Sequence, residues 1–325
     1  MTVIVNTIWG GRISQIVDRQ ISQSLTDGTH AVVDAESNKV VIAFTRDAVV
    51  SIAYTGVAVA NQTWVDCQIA NCLAHTNLEM AFVQCGTRYL FRPVHVVIKE
   101  LAINLNGCLN SDRRARIEDL TISVVGWHLG KQLKPFAWEL RRGERQENGM
   151  RYFKLVTSLN RVGKFFREKP NGLWGETLGV PGALVDGRLS GLAKTTGLNH
   201  DDVEFYLRDA IRERARETTT VSSDCVAVQL DPRAEDWNVR VTYYPSESRA
   251  DGHPLLSPWV LTSRLICAPT KYSSNFLPVS DCGRYALGGF EEGNTNLKVQ
   301  LRLPIEMIQN ARRISAAALT RPVPN

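Results

Sequence analysis

The chain has 325 residues, of which 44% are hydrophobic and 22% are charged, and its formal net charge is +5. These values are ordinary for a globular protein. No apolar run approaches the ~18 residues that cross a bilayer, and no cationic leader precedes an apolar core. We therefore expect a cytoplasmic protein without a membrane segment.

Motifs that bind metals or cofactors are missing from the sequence. Seven cysteines are spread along the chain without a C-x-x-C pair, and six histidines form no H-E-x-x-H pattern. A Walker loop, a dinucleotide fingerprint and a G-x-S-x-G elbow are also missing. We expect reduced, buried thiols, no metal and no cofactor.

The first third of the chain predicts strands followed by helices. Residues 3–5 are apolar and predict a strand that enters the core. Residues 40–44 and 48–54 are nearly continuous apolar runs, which are typical of strands covered on both faces. A first helix is predicted to begin at the possible N-cap Asn61. A second should begin at Pro93 and end at residues 106–107.

The middle of the chain predicts more strands and a third helix. Strands are predicted at residues 120–127, 134–140 and 152–156. Residues 201–218 predict a helix whose acidic start and basic end match the helix dipole. Strands at 225–230 and 238–244 follow. This order of elements indicates an α+β fold, a four-layer αββα sandwich, formed by residues 1–246.

Residues 247–325 differ from the rest of the chain in their sequence pattern and are predicted to form a C-terminal extension. Proline and glycine divide this segment into short pieces, with possible strands at 259–267 and 297–303 and a closing helix at 305–319. A cap on a subunit interface, a lid over a substrate channel and an edge extension all remain open.

A basic segment with interleaved phenylalanines spans residues 161–169. Such a pattern can bind nucleic acid through stacking and phosphate contacts. No nucleic-acid-binding motif accompanies it. We interpret the segment as a solvated loop held by its aromatic side chains, and do not expect a nucleic-acid partner.

The N-terminus carries the main catalytic signal. Thr2 follows Met1, which an aminopeptidase normally removes before so small a side chain. The hydroxyl of an N-terminal threonine can lose its proton to the α-amine of the same residue. That amine has an ordinary pKa of about 7.7–8.0, so part of it is neutral near physiological pH.

The sequence Thr-Val-Ile-Val, a Gly10–Gly11 turn and residues 13–22 resemble the opening of proteasome β-type subunits and of the bacterial HslV-type protease. The resemblance covers residues 1–80 well and 190–246 more loosely. It implies a divergent bacterial-type proteasome homologue with the N-terminal nucleophile (Ntn) hydrolase fold. Residues 247–325 have no counterpart in it.

The resemblance also implies roles for particular residues. Thr2 would be the nucleophile, and Asp18, sixteen residues later, would orient Lys39. Lys39 would favour loss of the threonine proton. The main-chain N–H of Gly56 would stabilise the oxyanion.

The chain departs from the family pattern at several positions. The connection from Gln20 to Lys39 is longer than in the family, and Gln20 replaces an arginine of the proteasome. Ser222 is expected to take the place of a family serine, although a one-residue slip would use Ser223. The associated aspartate falls on Thr219. Residues 179–182 offer no hydroxyl where the family has another serine.

Three functions fit these residues. The first is a threonine peptidase that acts on peptides or unfolded proteins inside a homo-oligomeric ring or helical assembly, with an unfoldase partner unknown. The second is an Ntn amidase that acts on small amides. The third is a proteasome-like structural subunit without activity.

Overall fold

The computed structural model describes residues 2–24, 29–34, 37–74, 83–85, 92–111, 120–129, 132–143, 147, 152–157, 159–169, 171–179, 183–192, 194–195, 197–234, 238–244, 255–256, 258–261, 265–267, 271–272 and 297–301. The strands are β1 Val3–Trp9, β2 Arg12–Asp18, β3 Ile21–Ser24, β4 His30–Asp34, β5 Val40–Phe44, β6 Ala48–Gly56, β7 Val59–Ala60, β8 Thr63–Trp64, β9 Val83–Cys85, β10 Leu120–Leu129, β11 Leu133–Arg142, β12 Phe153–Thr157, β13 Trp174–Gly179, β14 Cys225–Leu230, β15 Val239–Tyr244, β16 Leu255–Leu256, β17 Trp259–Leu261, β18 Leu265–Cys267, β19 Lys271–Tyr272 and β20 Leu297–Leu301. The helices are α1 Val65–Ala74, α2 Val94–Ser111, α3 Leu159–Glu168, α4 Ala183–Leu192 and α5 His200–Glu217.

Two sheets contain most of the described strands. The first sheet has the order β13-β1-β2-β14-β15-β20, and its neighbours are all antiparallel. The second sheet has the order β12-β11-β10-β6-β5-β17-β18-β9. Its neighbours are antiparallel except for β5 and β17, which run parallel.

Three apolar clusters hold four layers together. One fills the space between the two sheets, one lies between the second sheet and α1 and α2, and one lies between the first sheet and α4 and α5. Buried apolar area of this kind is the main stabilising contribution in a fold. Representative buried members of the three clusters are Ile4, Ile42 and Val228; Ile52, Ile69 and Leu101; and Val5, Leu189 and Leu207. The predicted fold class, a four-layer αββα sandwich, is confirmed.

Individual elements agree with the expected ones to different degrees. β5 and β6 occupy the predicted apolar runs and are almost wholly buried. The helix predicted from Asn61 begins instead at Val65, because Asn61 has a φ of 47° and lies in the turn between β7 and β8. The helix predicted from Pro93 continues past residue 107 to Ser111.

The basic segment is helical, so its interpretation as a loop is wrong. Residues 159–168 form α3, which buries Val162 and packs Phe165 and Phe166 against the cluster between the sheets. Lys164 and Arg167 remain exposed. The phenylalanines therefore anchor a helix to the sandwich.

The C-terminal segment adds strands to both sheets. β17 pairs with β5, and β20 pairs with the outer edge of β15. The strand predicted at 259–267 is two strands, β17 and β18, and the helix predicted at 305–319 lies outside the described residues. The division at residue 246 stays a prediction. Over the part of the chain that the structure describes, no helix is long and apolar enough to cross a membrane.

Candidate active site

Thr2 lies directly before β1, which is flanked by β13 and β2 in the first sheet. Its side chain and main chain are 5% exposed. The strand continues into the apolar residues 3–5, which are wholly buried. Because β1 is paired with β13 and β2, the strand that directly follows Thr2 has a fixed position.

Lys39 brings a cation to the Thr2 hydroxyl. Its Nζ donates a hydrogen bond of 2.7 Å to Thr2 Oγ1. The same Nζ lies 3.3 Å from Asp18 Oδ2 and also donates to the main-chain carbonyl of Gln20. Lys39 and Asp18 are 1% and 0% exposed. The structure therefore places Thr2, Asp18 and Lys39 in one buried cluster.

Burial lowers the pKa of Lys39 from its ordinary value of 10.5. The negative charge of Asp18 acts in the opposite direction and raises it, while Arg19 lowers it further. The neutral form of the Lys39 amine is thus more accessible than in a solvated lysine. Such an amine can exchange a proton with the hydroxyl to which it is bonded.

Asp18 holds the segments around this cluster together. Its Oδ1 accepts a bond of 2.8 Å from the main-chain N–H of Val3, and its Oδ2 accepts bonds of 3.2 Å and 3.4 Å from those of Gln20 and Ser222. These donors satisfy a buried carboxylate and fix the residue after Thr2. Asp18 therefore orients both Lys39 and the β1 backbone.

Gly56 ends β6 close to Thr2. Thr55 Oγ1, in the preceding residue, donates a hydrogen bond of 3.2 Å to the carbonyl oxygen of Thr2. Gly56 itself is exposed and has a φ of +101°. An exposed glycine with this φ allows a substrate carbonyl to approach the main chain.

Gly179 also lies against the main chain of Thr2. It is the pairing partner of Val3, and a Cβ atom there would lie 1.7 Å from the Thr2 carbonyl oxygen. Because any side chain at this position would clash with Thr2, the position requires glycine. It therefore cannot supply a hydroxyl, as the sequence predicts.

Ser222 lies beside the cluster, but its hydroxyl is used locally. Ser222 Oγ accepts a bond of 2.9 Å from the main-chain N–H of Asp224. Only its main-chain N–H reaches Asp18. The carbonyl oxygen of Thr219 accepts a bond from the Gln20 side chain. Among the described contacts, the Ser222 hydroxyl has none with Thr2, so Ser222 contributes to the turn that supports Asp18.

Two contacts of this site have no signal in the sequence. The Gln20 carbonyl that accepts from Lys39 is a main-chain group, which every residue type provides. Thr55 adjoins Gly56, but a threonine inside an apolar strand is common and indicates nothing by itself. Both contacts depend on the register of strands that are distant in sequence.

No protein-family model and no curated protein matches the sequence. Among solved structures, the chain is similar to eukaryotic HslV from Trypanosoma brucei, at 14% identity and a TM-score of 0.38, over 70% of this chain and 99% of that one. It is similar to Anbu (ancestral beta-subunit) from Yersinia bercovieri at 9% identity and a TM-score of 0.45, over 70% of this chain and 80% of that one. It is also similar to the Anbu complex of Pseudomonas aeruginosa, a helical assembly, at 11% identity and a TM-score of 0.40, over 99% of this chain and 98% of that one.

Proposed function

We propose that the chain is a threonine peptidase of the N-terminal nucleophile type. Thr2 would attack the peptide carbonyl once Met1, and anything else before Thr2, has been removed. The observation that supports this most directly is the bond of 2.7 Å from Lys39 Nζ to Thr2 Oγ1, inside a buried cluster with Asp18. A hydroxyl that lies directly before a paired strand and accepts a hydrogen bond from a buried amine is well placed to lose its proton to a nearby base.

The proposed reaction has two stages. Thr2 Oγ1 adds to the carbonyl carbon of the substrate while its proton passes to the α-amine, and the carbonyl oxygen becomes an oxyanion beside the main-chain N–H of Gly56. The C–N bond then breaks, the leaving amine takes the proton, and an ester remains on Thr2. A water molecule then adds to the ester carbonyl carbon and gives a proton to the α-amine. The C–O bond to Thr2 breaks, the α-amine returns this proton to Thr2 Oγ1, and the carboxylic acid product leaves.

One set of contacts favours a second candidate, a structural subunit without activity. The Ser222 hydroxyl is bonded to Asp224 in its own turn, and Gly179 offers no hydroxyl near Thr2. A site that needs a further hydroxyl to assist the α-amine would be incomplete. The two candidates make opposite predictions about the reactivity of Thr2.

Covalent labelling separates these candidates. We expect the purified protein to have an intact mass without Met1 and to be labelled by a β-lactone or epoxyketone at Thr2. Thr2→Ala should not be labelled. Thr7→Ala is the matched control, since Thr7 is also buried, on the strand that follows Thr2, and the described bond of its hydroxyl is to the Ser14 carbonyl. A protein that lacks Met1 and is not labelled would support the structural subunit.

Substrate size separates a peptidase from an amidase of small molecules. Oligopeptides of graded length and a panel of small acyl amides should be compared under the same conditions. We expect the peptides to be cleaved, so that mass spectrometry shows pairs of fragments that together account for the whole peptide plus one water molecule. Turnover confined to the small amides would assign the second activity to the same Thr2 site.

A further inference from the structure

Asp66 is a buried carboxylate that lies outside the cluster around Thr2. It belongs to the first turn of α1 and is 7% exposed. Its Oδ2 accepts a bond of 3.0 Å from Asn38 Nδ2 and a bond of 3.1 Å from Trp259 Nε1. Burial raises the pKa of Asp66, whereas these two bonds lower it. One oxygen atom thus joins three segments that are far apart in sequence.

Asn38 fixes the turn from which the lysine projects. Its Nδ2 donates a hydrogen bond of 3.1 Å to the Val40 carbonyl, and its Oδ1 accepts a hydrogen bond of 3.3 Å from the Val40 N–H. Tyr54 also donates 3.5 Å to the Asn38 carbonyl. Lys39 lies between the two clamped residues, so the bond from Asp66 to Asn38 sets the starting point of the Lys39 side chain.

Trp259 connects the same turn to the C-terminal segment. It is buried at 4% exposure and is the parallel pairing partner of Val41 on β5. Its indole N–H reaches across to Asp66. The strand that follows Lys39 is thus paired along its edge with β17, and the indole is connected to the beginning of that strand through Asp66 and Asn38.

We propose that Asp66 and Trp259 are positioning residues for Lys39, acting through Asn38 on the contact between Lys39 Nζ and Thr2 Oγ1. This inference rests on the proposed function. A lysine stem has four carbons and many rotamers, so the direction of Nζ depends on a backbone held at its base. Displacement of a catalytic group by about 1 Å can lower a rate roughly 100-fold.

Trp259→Phe tests this proposal, because it removes the indole donor and keeps most of the aromatic volume. Trp127→Phe is a matched control. Trp127 is buried at 3% exposure, and its Nε1 also donates a bond of 3.1 Å, to the carbonyl of Leu230. Each variant loses one indole hydrogen bond of equal length, but only Trp259 is connected to Asn38.

The readout is the labelling of Thr2 by a β-lactone, resolved into a maximal rate and a half-saturating concentration. We expect Trp259→Phe to lower the maximal rate roughly tenfold, with an unchanged half-saturating concentration. Trp127→Phe should stay within about twofold of the wild type. Equal maximal rates in the two variants would overturn the proposal and leave Trp259 as an ordinary core residue.

Amide hydrogen exchange over residues 37–44 provides a readout that needs no activity. Trp259→Phe should exchange faster there than Trp127→Phe, and Asn38→Ala should reproduce the effect if Trp259→Phe does not fold. If the wild type is not labelled at Thr2, the proposed function fails, and the exchange data still decide the positioning. Equal exchange in all variants would overturn the inference even if Thr2 is reactive.

Discussion

At the residue scale, the charge of Lys39 is subject to two opposed influences. Burial favours its neutral amine, and the neighbouring Asp18 favours its ammonium form. Removal of the charge would leave the wholly buried Asp18 with main-chain donors alone among the contacts that the structure describes. Loss of one partner of a buried ion pair typically costs about 3–5 kcal/mol, so variants at this position need a measurement of folding beside each measurement of activity.

Lys39→Met should abolish the reactivity of Thr2. Methionine is close to lysine in length but has neither charge nor a proton to donate. We expect labelling by a β-lactone to slow by at least ~100-fold, as when one preorganised donor is removed from an active site. Lys164→Met, on an exposed side chain, is the control. Normal labelling in a folded Lys39→Met variant would show that another group activates Thr2.

The lowered pKa of Lys39 predicts a pH dependence of stability. Between its pKa in the folded protein and the ordinary 10.5, the unfolded chain binds more protons than the folded one. The free energy of unfolding contributed by Lys39 therefore rises with pH through this window. Urea unfolding measures the free energy of unfolding of the wild type and of Lys39→Met. The value for the wild type minus the value for Lys39→Met should increase as the pH rises toward 10.5. A flat or falling difference would contradict the assignment.

Gly179→Ala should disrupt the site from the main-chain side. The new methyl group would lie 1.7 Å from the Thr2 carbonyl oxygen, at a φ of +94° that alanine rarely adopts. We expect loss of Thr2 labelling and a lower free energy of unfolding. Gly187→Ala is the matched control, because Gly187 lies in α4 with open space around it. There alanine should stabilise the helix by up to about 1 kcal/mol.

Much of the cluster could be expected from the order of residues along the chain. Thr2, Asp18 and Lys39 were expected together from the resemblance of residues 1–80 to proteasome β-type subunits, and the structure brings them together. Their catalytic roles stay predictions. The part played by Asp66 was not predictable, since an aspartate in the first turn of a helix is ordinarily explained by the helix dipole.

At the element scale, α5 shows how local sequence can determine a boundary. Asn199 Oδ1 accepts a bond of 2.8 Å from the Asp202 N–H, and Asp202 accepts a bond of 3.1 Å from the Asn199 N–H. This capping box satisfies two donors at the beginning of the helix. Leu207 and Ile211 then pack against the first sheet.

Asn199→Ala should lower the free energy of unfolding by about 1 kcal/mol, because the helix loses its N-cap acceptor. Asn199→Asp keeps an acceptor and should remain close to the wild type. Urea unfolding monitored by circular dichroism measures both. If the two variants were equally destabilised, the cap would not be the cause.

The elements that were predicted correctly are those with short-range signals. The continuous apolar runs of β5 and β6 and the acidic start and basic end of α5 are local features. The beginning of α1 was placed too early because Asn61 adopts a left-handed conformation in a hairpin turn. α3 was missed because its basic residues were interpreted as those of a solvated loop, although its apolar residues recur at helical spacing. The pairing of β17 with β5 joins residues that are far apart, so no local pattern could reveal it.

At the scale of the whole molecule, we predict a homo-oligomer, either a ring or a helical assembly, because the family that the sequence resembles works in rings. Light scattering combined with size-exclusion chromatography should give a mass of several chains at micromolar concentration. Dilution should shift a weak assembly toward smaller species. A monodisperse chain of 36.2 kDa would contradict the prediction.

The parallel pairing of β5 with β17 also has a consequence for biosynthesis. The strand that follows Lys39 is made early, whereas its neighbour is made only when the ribosome reaches residue 261. Until then one edge of β5 is open, and open strand edges pair readily with other chains. Contacts between such distant residues also form slowly. A nascent chain therefore passes through a period in which it has Thr2 and Lys39 but not the strand that completes the edge of β5 beside Lys39.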